Sequence, residues 1–271
     1  MQPADVIAKL KAQANPVNAA GMAKFGINPK NTLGISIPFL RGLAKEIGTD
    51  HALALVLWDS GIHEARLLAG FIDDPKQVTR EQMEKWALEF DSWDVCDQAC
   101  SNLFDKTPYA YLKAIEWSSR KEEFVKRAGF VLMAALAVHD KNANDEPFKN
   151  FLPIIARESL DDRNFVRKAV NWALRQIGKR NNELKTAALD TAKEISSFDS
   201  SAAKWIASDA IRELKAVKFA SGKRVVGEKT AKKKTPSKKT KPVEKEKKTK
   251  PAKIVKKAKP VKKPNKVKKK K

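Results

Sequence analysis

The sequence predicts an all-α protein built as a solenoid of stacked helix pairs. Apolar residues recur at helical spacing throughout residues 1–219, and no stretch alternates β-branched and polar residues as a half-buried strand would. Short links rich in Pro, Gly, Asp and Ser interrupt this pattern, and similar segments return along the chain. Because the links are short, we expect consecutive helices to pack side by side.

Thirteen helices are expected, separated by breaks such as DDPK, DKTP and NDEP. In chain order they cover 3–13, 17–25, 37–48, 51–59, 62–73, 79–90, 92–105, 108–118, 121–139, 146–159, 163–179, 182–196 and 200–217. The helix over 121–139 contains AGFVLMAALAV, which is apolar all round, so we expect it to be central.

Three segments are weakly similar to one another: GIHEARLLAGF, EEFVKRAGFVL and NFVRKAVNWAL. Each has an apolar start, a basic residue and a following apolar face, and the basic residues are Arg66, Arg127 and Lys168. Their spacing fits two units of about 30 residues followed by one of about 40. Degenerate repeats of this length indicate a curved superhelical solenoid, whose concave face is the usual binding surface.

Charge separates the chain into two parts. Of the net charge of +23, residues 221–271 carry +21, from 24 Lys and Arg against three acids, which leaves +2 for residues 1–220. The basic segment has five prolines and no aromatic residue, so it cannot offset the entropy cost of ordering. We therefore expect a folded domain over 1–219 and a disordered Lys-rich tail over 220–271.

The sequence indicates no signal peptide, membrane span, disulfide or zinc site. The opening MQPADVIAKLKAQ is an amphipathic helix rather than a signal peptide, and no apolar run approaches the ~20 residues needed to span a bilayer. Cys96 and Cys100 lie four apart, which suits a disulfide poorly, so reduced thiols in the core are expected. The histidines His51, His63 and His139 match no zinc spacing, and no metal or other cofactor is expected.

The stretch DSWDVCDQACSNLFDK places a carboxylate on the same side of a helix as aromatic and thiol side chains. If Ser92 is the N-cap, then Trp93, Asp97, Cys100 and Phe104 share one stripe of the helix, within about 60° of one another. A charge beside apolar groups costs free energy unless it is paired or faces a solvated cleft. Asp97 is therefore a candidate functional residue.

The helix over 163–179 carries a tryptophan on its basic side. Trp172 lies among Lys168, Arg175, Gln176 and Lys179, opposite the apolar face. One interpretation is an indole packed on a neighbouring helix or under lysine stems. The other is an aromatic group and three cations that contact a polyanion.

Arg127 borders the apolar run of the central helix. A buried arginine most often pairs with an acid, and Asp97 could be that partner; otherwise its planar fork suits a phosphate at the edge of a cleft. Both interpretations remain open from the residues alone.

The order SWDVCD, FVKRAGF, FVRKAVNWALR resembles the AlkD-like DNA alkylation repair family, the DNA glycosylases built from HEAT-like helical repeats. The resemblance covers roughly 5–215 and depends on the joint order Trp-x-x-x-Asp, Arg, Trp-x-x-Arg. It implies that Asp97 is the catalytic carboxylate and that the indoles of Trp93 and Trp172 pack on the deoxyribose. It also implies that Arg127 and Arg175 contact the DNA backbone, and we add Lys168 and Lys179 from the same basic face.

The activity that this resemblance implies is excision of positively charged N3- and N7-alkylated purines from double-stranded DNA, without flipping the base and without strand cleavage. Two other hypotheses stay open: a HEAT-repeat DNA-binding protein without catalysis, and a helical-repeat scaffold for a protein partner. We further expect a monomer whose Lys-rich tail binds DNA nonspecifically. The expected location is the cytoplasm, with the nucleoid, if the source is bacterial, and the nucleus if it is eukaryotic.

Overall fold

The computed structural model describes residues 1–220 and 223–224, which form thirteen α-helices, one 3-10 turn and one short strand pair. The helices are α1 (Pro3–Ala12), α2 (Pro16–Ala23), α3 (Ile37–Ile47), α4 (His51–Asp59), α5 (His63–Ile72), α6 (Arg80–Leu88), α7 (Trp93–Asn102), α8 (Ala110–Ser118), α9 (Glu123–His139), α10 (Glu146–Glu158), α11 (Asn164–Gly178), α12 (Asn182–Ser196) and α13 (Ser201–Ala216). The antiparallel pair is β1 (Phe219–Ala220) with β2 (Lys223–Arg224).

Contacts within the chain separate a first unit, Met1–Val226, from residues 227–271. All thirteen helices belong to the first unit. Apart from the residues of the short strand pair, the predicted disordered tail over 220–271 lies outside the described residues. No alternation in the sequence predicts the strand pair.

All thirteen predicted helices are confirmed, and side-chain caps explain several of their starts. At the starts of five helices, a side-chain oxygen accepts a hydrogen bond from the backbone N–H three residues later; the capping residues are Asn15, Asp50, Thr79, Asn181 and Ser200.

The largest difference between the predicted and observed helix bounds is at the seventh helix, predicted over 92–105. There α7 ends at Asn102, and the chain turns at Leu103 into the 3-10 turn Phe104–Lys106.

Successive helices pack against one another to form the repeat. Helix α5 packs on α4 and α7, α7 packs on α9, and α9 packs on both α8 and α11. From Ala128 to Ala137 every residue of α9 is buried, which confirms its predicted central position. Gly129 allows the close approach of α8, because a Cβ there would lie 2.6 Å from the backbone nitrogen of Ser118.

The six tryptophans divide into core and surface groups. Trp58, Trp86 and Trp117 are fully buried, and the rings of Trp58 and Trp86 stack with centroids 3.9 Å apart. The other three, Trp93, Trp172 and Trp205, are half-buried or exposed. Only this second group can contact a ligand without rearrangement of the core.

The cysteines of the described residues are buried, and the histidines contact carboxylates. Cys96 and Cys100 are free buried thiols, as predicted, and burial raises the pKa of Cys100. Each histidine contacts a carboxylate: His51 with Asp73, His63 with Asp94 and His139 with Asp105. No group of three potential metal ligands comes together in the described part of the chain. No helix described there is long and apolar enough to cross a membrane.

Candidate nucleic-acid interface

A cavity of about 560 Å³ opens between the N-terminal part of the first unit and helices α7, α9 and α11. Its walls come from the chain just after α2, from the first residue of α7, from α9 and from the first turns of α11. The lining residues are Lys24, Phe25, Gly26, Trp93, Arg127, Asn164, Phe165 and Lys168. Three of the residues singled out from the sequence, Trp93, Arg127 and Lys168, therefore share one cavity.

Trp93 is fixed in this cavity by a hydrogen bond to the opposite wall. Its indole Nε1 donates to the carbonyl oxygen of Phe25 over 3.0 Å. The next residue, Gly26, has a positive φ of 78°, and a Cβ there would lie 2.6 Å from the Phe165 ring. Glycine at this position thus lets the chain after α2 close against α11.

Asp97, which is not one of the lining residues, forms a bidentate ion pair with Arg127, which is. Arg127 Nε donates to Asp97 Oδ1 and a terminal nitrogen donates to Oδ2, both over 2.8 Å. The other terminal nitrogen donates to the carbonyl oxygen of Phe165 over 2.6 Å. Arg127 is 6% exposed, so this one buried side chain connects α7, α9 and the start of α11.

The ion pair corresponds to the first of the two interpretations that the sequence left open for Arg127. The arginine is buried and paired with an acid, and that acid is Asp97. The Asp97 side chain is 14% exposed, so it retains contact with solvent beside its partner. The negative charge of Asp97 on α7 is therefore compensated by Arg127 on α9.

Burial and charge act in opposite directions on this carboxyl group. Burial raises the pKa of Asp97, Asp94 adds to the rise, and the charge and hydrogen bonds of Arg127 oppose it. Burial would lower the pKa of Arg127, but Asp97 raises it overall. The ionised form of Asp97 consequently depends on Arg127.

Two positive charges at the cavity are not paired with acids. Lys24 and Lys168 are exposed lining residues, and neither forms an ion pair with any residue that the structure describes. Trp172 lies one turn after Lys168 on α11, outside the residues that line the cavity, and is half-buried against the core. Trp172 is therefore not among the residues that the structure brings together in the cavity, and part of its surface is packed against the core.

Two other predicted DNA contacts are engaged with acids of α13. Arg175 lies 3.4 Å from Asp209 and also pairs with Glu213, and Lys179 pairs with Glu213. Their charges are largely neutralised within the protein. The role of Arg175 and Lys179 in DNA binding stays a prediction.

The sequence interpretation missed the N-terminal wall of the cavity. Lys24, Phe25 and Gly26 follow a short helix, and Phe25 is 74% exposed. The sequence did contain a signal for this wall, because a basic residue, an aromatic residue and a glycine follow one another directly after a helix. Asn164 and Phe165 were also missed, because their position depends on the packing of α11 beside α9.

Comparisons with known proteins identify the family of the chain. A family model described as DNA alkylation repair enzyme matches residues 6–214. The uncharacterized protein Lin0241 of Listeria innocua is 24% identical over 166 residues, covering 60% of this chain and 71% of the relative. The uncharacterized protein Lmo0209 of Listeria monocytogenes gives the same identity and coverage.

A solved structure has the same fold. It is described as a new family of proteins related to the HEAT-like repeat DNA glycosylases with affinity for branched DNA structures. It matches with a TM-score of 0.66 and 19% identity, over 78% of this chain and 95% of that chain. The predicted all-α solenoid of HEAT-like repeats and the predicted family are both confirmed. The chain belongs to the DNA alkylation repair enzyme family.

Proposed function

We propose that this protein is a monofunctional DNA glycosylase that excises positively charged N3- and N7-alkylated purines from double-stranded DNA. The observation that supports this most strongly is the cavity itself. It brings together an indole, two exposed lysines and a buried arginine, and this arginine holds the Asp97 carboxylate. Cations attract the DNA backbone, while the indole and the carboxylate suit a cationic sugar.

The positive charge of the substrate makes the alkylated base a good leaving group. An N-alkylated purine already carries a positive charge, so it leaves as a neutral base when both electrons of the C1′–N bond pass to the ring. The sugar is left with oxocarbenium character at C1′. Water then adds to C1′ and loses a proton, which gives an abasic site in an intact strand.

Asp97 is suited to stabilise the developing positive charge. A carboxylate has about four acceptor positions, and the two hydrogen bonds from Arg127 leave others free. Its low exposure weakens screening by water, which strengthens the attraction to a nearby cation. The face of the Trp93 indole would add to this attraction.

Arg127 can contact a phosphate without releasing Asp97. A guanidinium has five N–H donors, and its hydrogen bonds to Asp97 and Phe165 use three of them. Two donors remain on a side chain that lines the cavity. In this proposal one arginine orients the catalytic carboxylate and contacts the DNA backbone.

A lyase step is not part of the proposal. Cleavage of the strand through a Schiff base needs a desolvated amine beside the sugar. Lys168 is the lysine on the proposed DNA-facing side of α11, and it is exposed. Borohydride trapping of a covalent adduct with DNA would contradict this assignment.

The test is release of base from a duplex that carries a single N7-methylguanine, measured under single-turnover conditions. Release by the parent protein and a loss of about 10²-fold or more in Asp97→Asn would support both the activity and the role of Asp97. Absence of release by the parent protein would refute the activity.

The second candidate is a DNA-binding protein without catalysis that recognises branched DNA. It is favoured by the structurally similar protein whose family has affinity for branched DNA structures, and by the engagement of both Asp97 oxygens with Arg127. This candidate predicts tighter binding to a four-way junction than to a duplex, with no release of base. Equal affinity for the two DNAs would argue against it.

We also propose that the protein acts as a monomer and that its Lys-rich tail binds DNA nonspecifically through phosphate contacts. These proposals follow from the tail composition and from the family. The proposed location is the nucleoid-containing cytoplasm in a bacterium or the nucleus in a eukaryote.

A further inference from the structure

Helices α11 and α13 contact each other through a regular series of side-chain pairs. Asn171 donates to Asp209 over 2.7 Å, and Arg175 pairs with Glu213, in each case with the residue 38 positions later. Arg167 and Trp205 have the same offset, and the guanidinium carbon lies 5.3 Å from the centre of the indole ring. In this last pair the residue of α13 is an indole, whereas in the other two it is an acid.

This exchange of acid for indole leaves Arg167 without charge compensation. Arg167 forms no ion pair with any residue described by the structure, and its buried Nε, like that of Arg175, has no hydrogen-bond partner there. A terminal nitrogen makes one long hydrogen bond, 3.4 Å, to the side chain of Asn164. By contrast, Arg175 of the same helix pairs with Asp209 and Glu213, and Lys179, which directly follows the helix, pairs with Glu213.

The uncompensated pair lies beside the cavity described above. Asn164 lines that cavity and contacts Arg167, and Lys168, the next residue, also lines it. Trp205 is the most exposed of the six tryptophans, at 40%. An exposed indole and an uncompensated guanidinium thus adjoin the proposed DNA-binding cavity on its α13 side.

We infer that Arg167 and Trp205 form a second DNA-binding subsite, for a nucleotide that flanks the one in the cavity. The guanidinium binds a backbone phosphate, because phosphate oxygens supply the charge that an acid supplies in the other pairs. The indole contacts the sugar or base of the same nucleotide, since aromatic faces stack without regard to sequence. This inference rests on the proposed function in one respect, namely that DNA occupies the cavity.

The test is equilibrium binding of the full chain to a short undamaged duplex at several salt concentrations. Three variants are compared: Arg167→Gln, Trp205→Glu and, as a control of equal charge, Ser208→Glu at an exposed position of α13. Trp205→Glu places an acid opposite Arg167, as in the other pairs, so the helix contact should be retained. Thermal unfolding checks this, and the expected Tm is equal to or above that of the parent.

We expect Arg167→Gln and Trp205→Glu to raise Kd about tenfold, which is the size of one phosphate or stacking contact. Arg167→Gln should also lower the slope of log K against log salt by about 0.9. Ser208→Glu should raise Kd less, by under about threefold. An unchanged Kd and slope for Arg167→Gln, or equal weakening by Trp205→Glu and Ser208→Glu, would overturn the inference.

The same proteins, assayed for base release, separate this inference from the proposed activity. If the parent protein releases no base but the two variants bind DNA more weakly, the subsite stands and the glycosylase activity fails. If the parent releases base and all variants bind as it does, the activity stands and the subsite fails. If the parent does not bind the duplex, both fail.

Discussion

The guanidinium of Arg127 holds both oxygens of the Asp97 carboxylate, with two hydrogen bonds of 2.8 Å. The two residues lie on different helices, α7 and α9, and Arg127 also binds the start of α11 through Phe165. This contact makes the charge of Asp97 compatible with its burial. It also ties the proposed catalytic group to the packing of three helices.

Removal of Arg127 should destabilise the fold because it leaves a carboxylate uncompensated. We expect Arg127→Gln to lower the free energy of unfolding by about 3 kcal/mol. Adding Asp97→Asn to that variant should restore part of the loss, because the unpaired charge is then absent. Urea unfolding of the parent, both single variants and the double variant measures the coupling. Additive effects of the two changes would contradict the pairing.

Asp97→Asn should separate the catalytic role of Asp97 from its structural role. We expect base release to fall about 10²-fold, while binding of undamaged duplex changes little, since the charge is needed only as the sugar becomes cationic. Single-turnover kinetics and equilibrium binding are the two measurements. Asp94→Asn is a nearby control, because Asp94 pairs with His63 rather than with Arg127. An equal loss in both variants would assign the effect to local disturbance.

Gly26→Ala should disturb the N-terminal wall of the cavity. Gly26 has a φ of 78°, and its new Cβ would meet the Phe165 ring at 2.6 Å. We expect a loss of about 1–2 kcal/mol in the free energy of unfolding, measured with urea, and weaker binding of DNA. Gly42→Ala is the matched control, because Gly42 lies within α3 and a Cβ added there would approach no neighbouring side chain or helix within 4 Å. That control should be neutral or stabilising, and an equal loss in the two variants would contradict the role of Gly26.

Glu84 should make the protein sensitive to acid. Although burial acts to raise it, hydrogen bonds from Lys113, Trp117 and Arg120 lower the pKa of Glu84 from 4.5 to about 2. Because the folded pKa is depressed, the stabilisation is present above the unfolded pKa and is lost as the pH falls through about 4.5 toward 2.

We therefore expect Glu84→Gln to lower the free energy of unfolding by about 2 kcal/mol at neutral pH, allowing for screening by solvent, and by much less near the folded pKa. Urea unfolding across the acid range measures this difference. Glu122→Gln is the control, since Glu122 pairs with the same Arg120 in an exposed position, and its effect should be smaller. A difference that does not depend on pH would contradict the role of Glu84.

The Lys-rich segment should control the salt dependence of DNA binding. Residues 221–271 carry 24 of the 55 Lys and Arg residues of the chain. We expect deletion of this segment to flatten the slope of log K against log salt, because fewer counterions are released from DNA. Binding isotherms at several salt concentrations measure the slope. An unchanged slope would refute a role of the segment in binding phosphate.

The sequence by itself determined the local features of this protein. Helix positions follow from caps, breaks and apolar spacing within a few residues, so all thirteen helices could be predicted. The order of Trp93, Asp97, Arg127 and Trp172 identified the family, because a motif is a property of the chain in one dimension. The separation of charge between the two parts of the chain is likewise a matter of composition.

The tertiary structure alone decided which of these residues meet. In the folded chain Asp97 pairs with Arg127, and Trp93 donates a hydrogen bond to Phe25. Arg175 pairs with Glu213, whereas Arg167 lies against the indole of Trp205. These contacts join residues 30 or more positions apart, and their geometry depends on how neighbouring helices pack. Spacing along one helix fixes which face a side chain occupies, but only packing fixes what lies opposite that face.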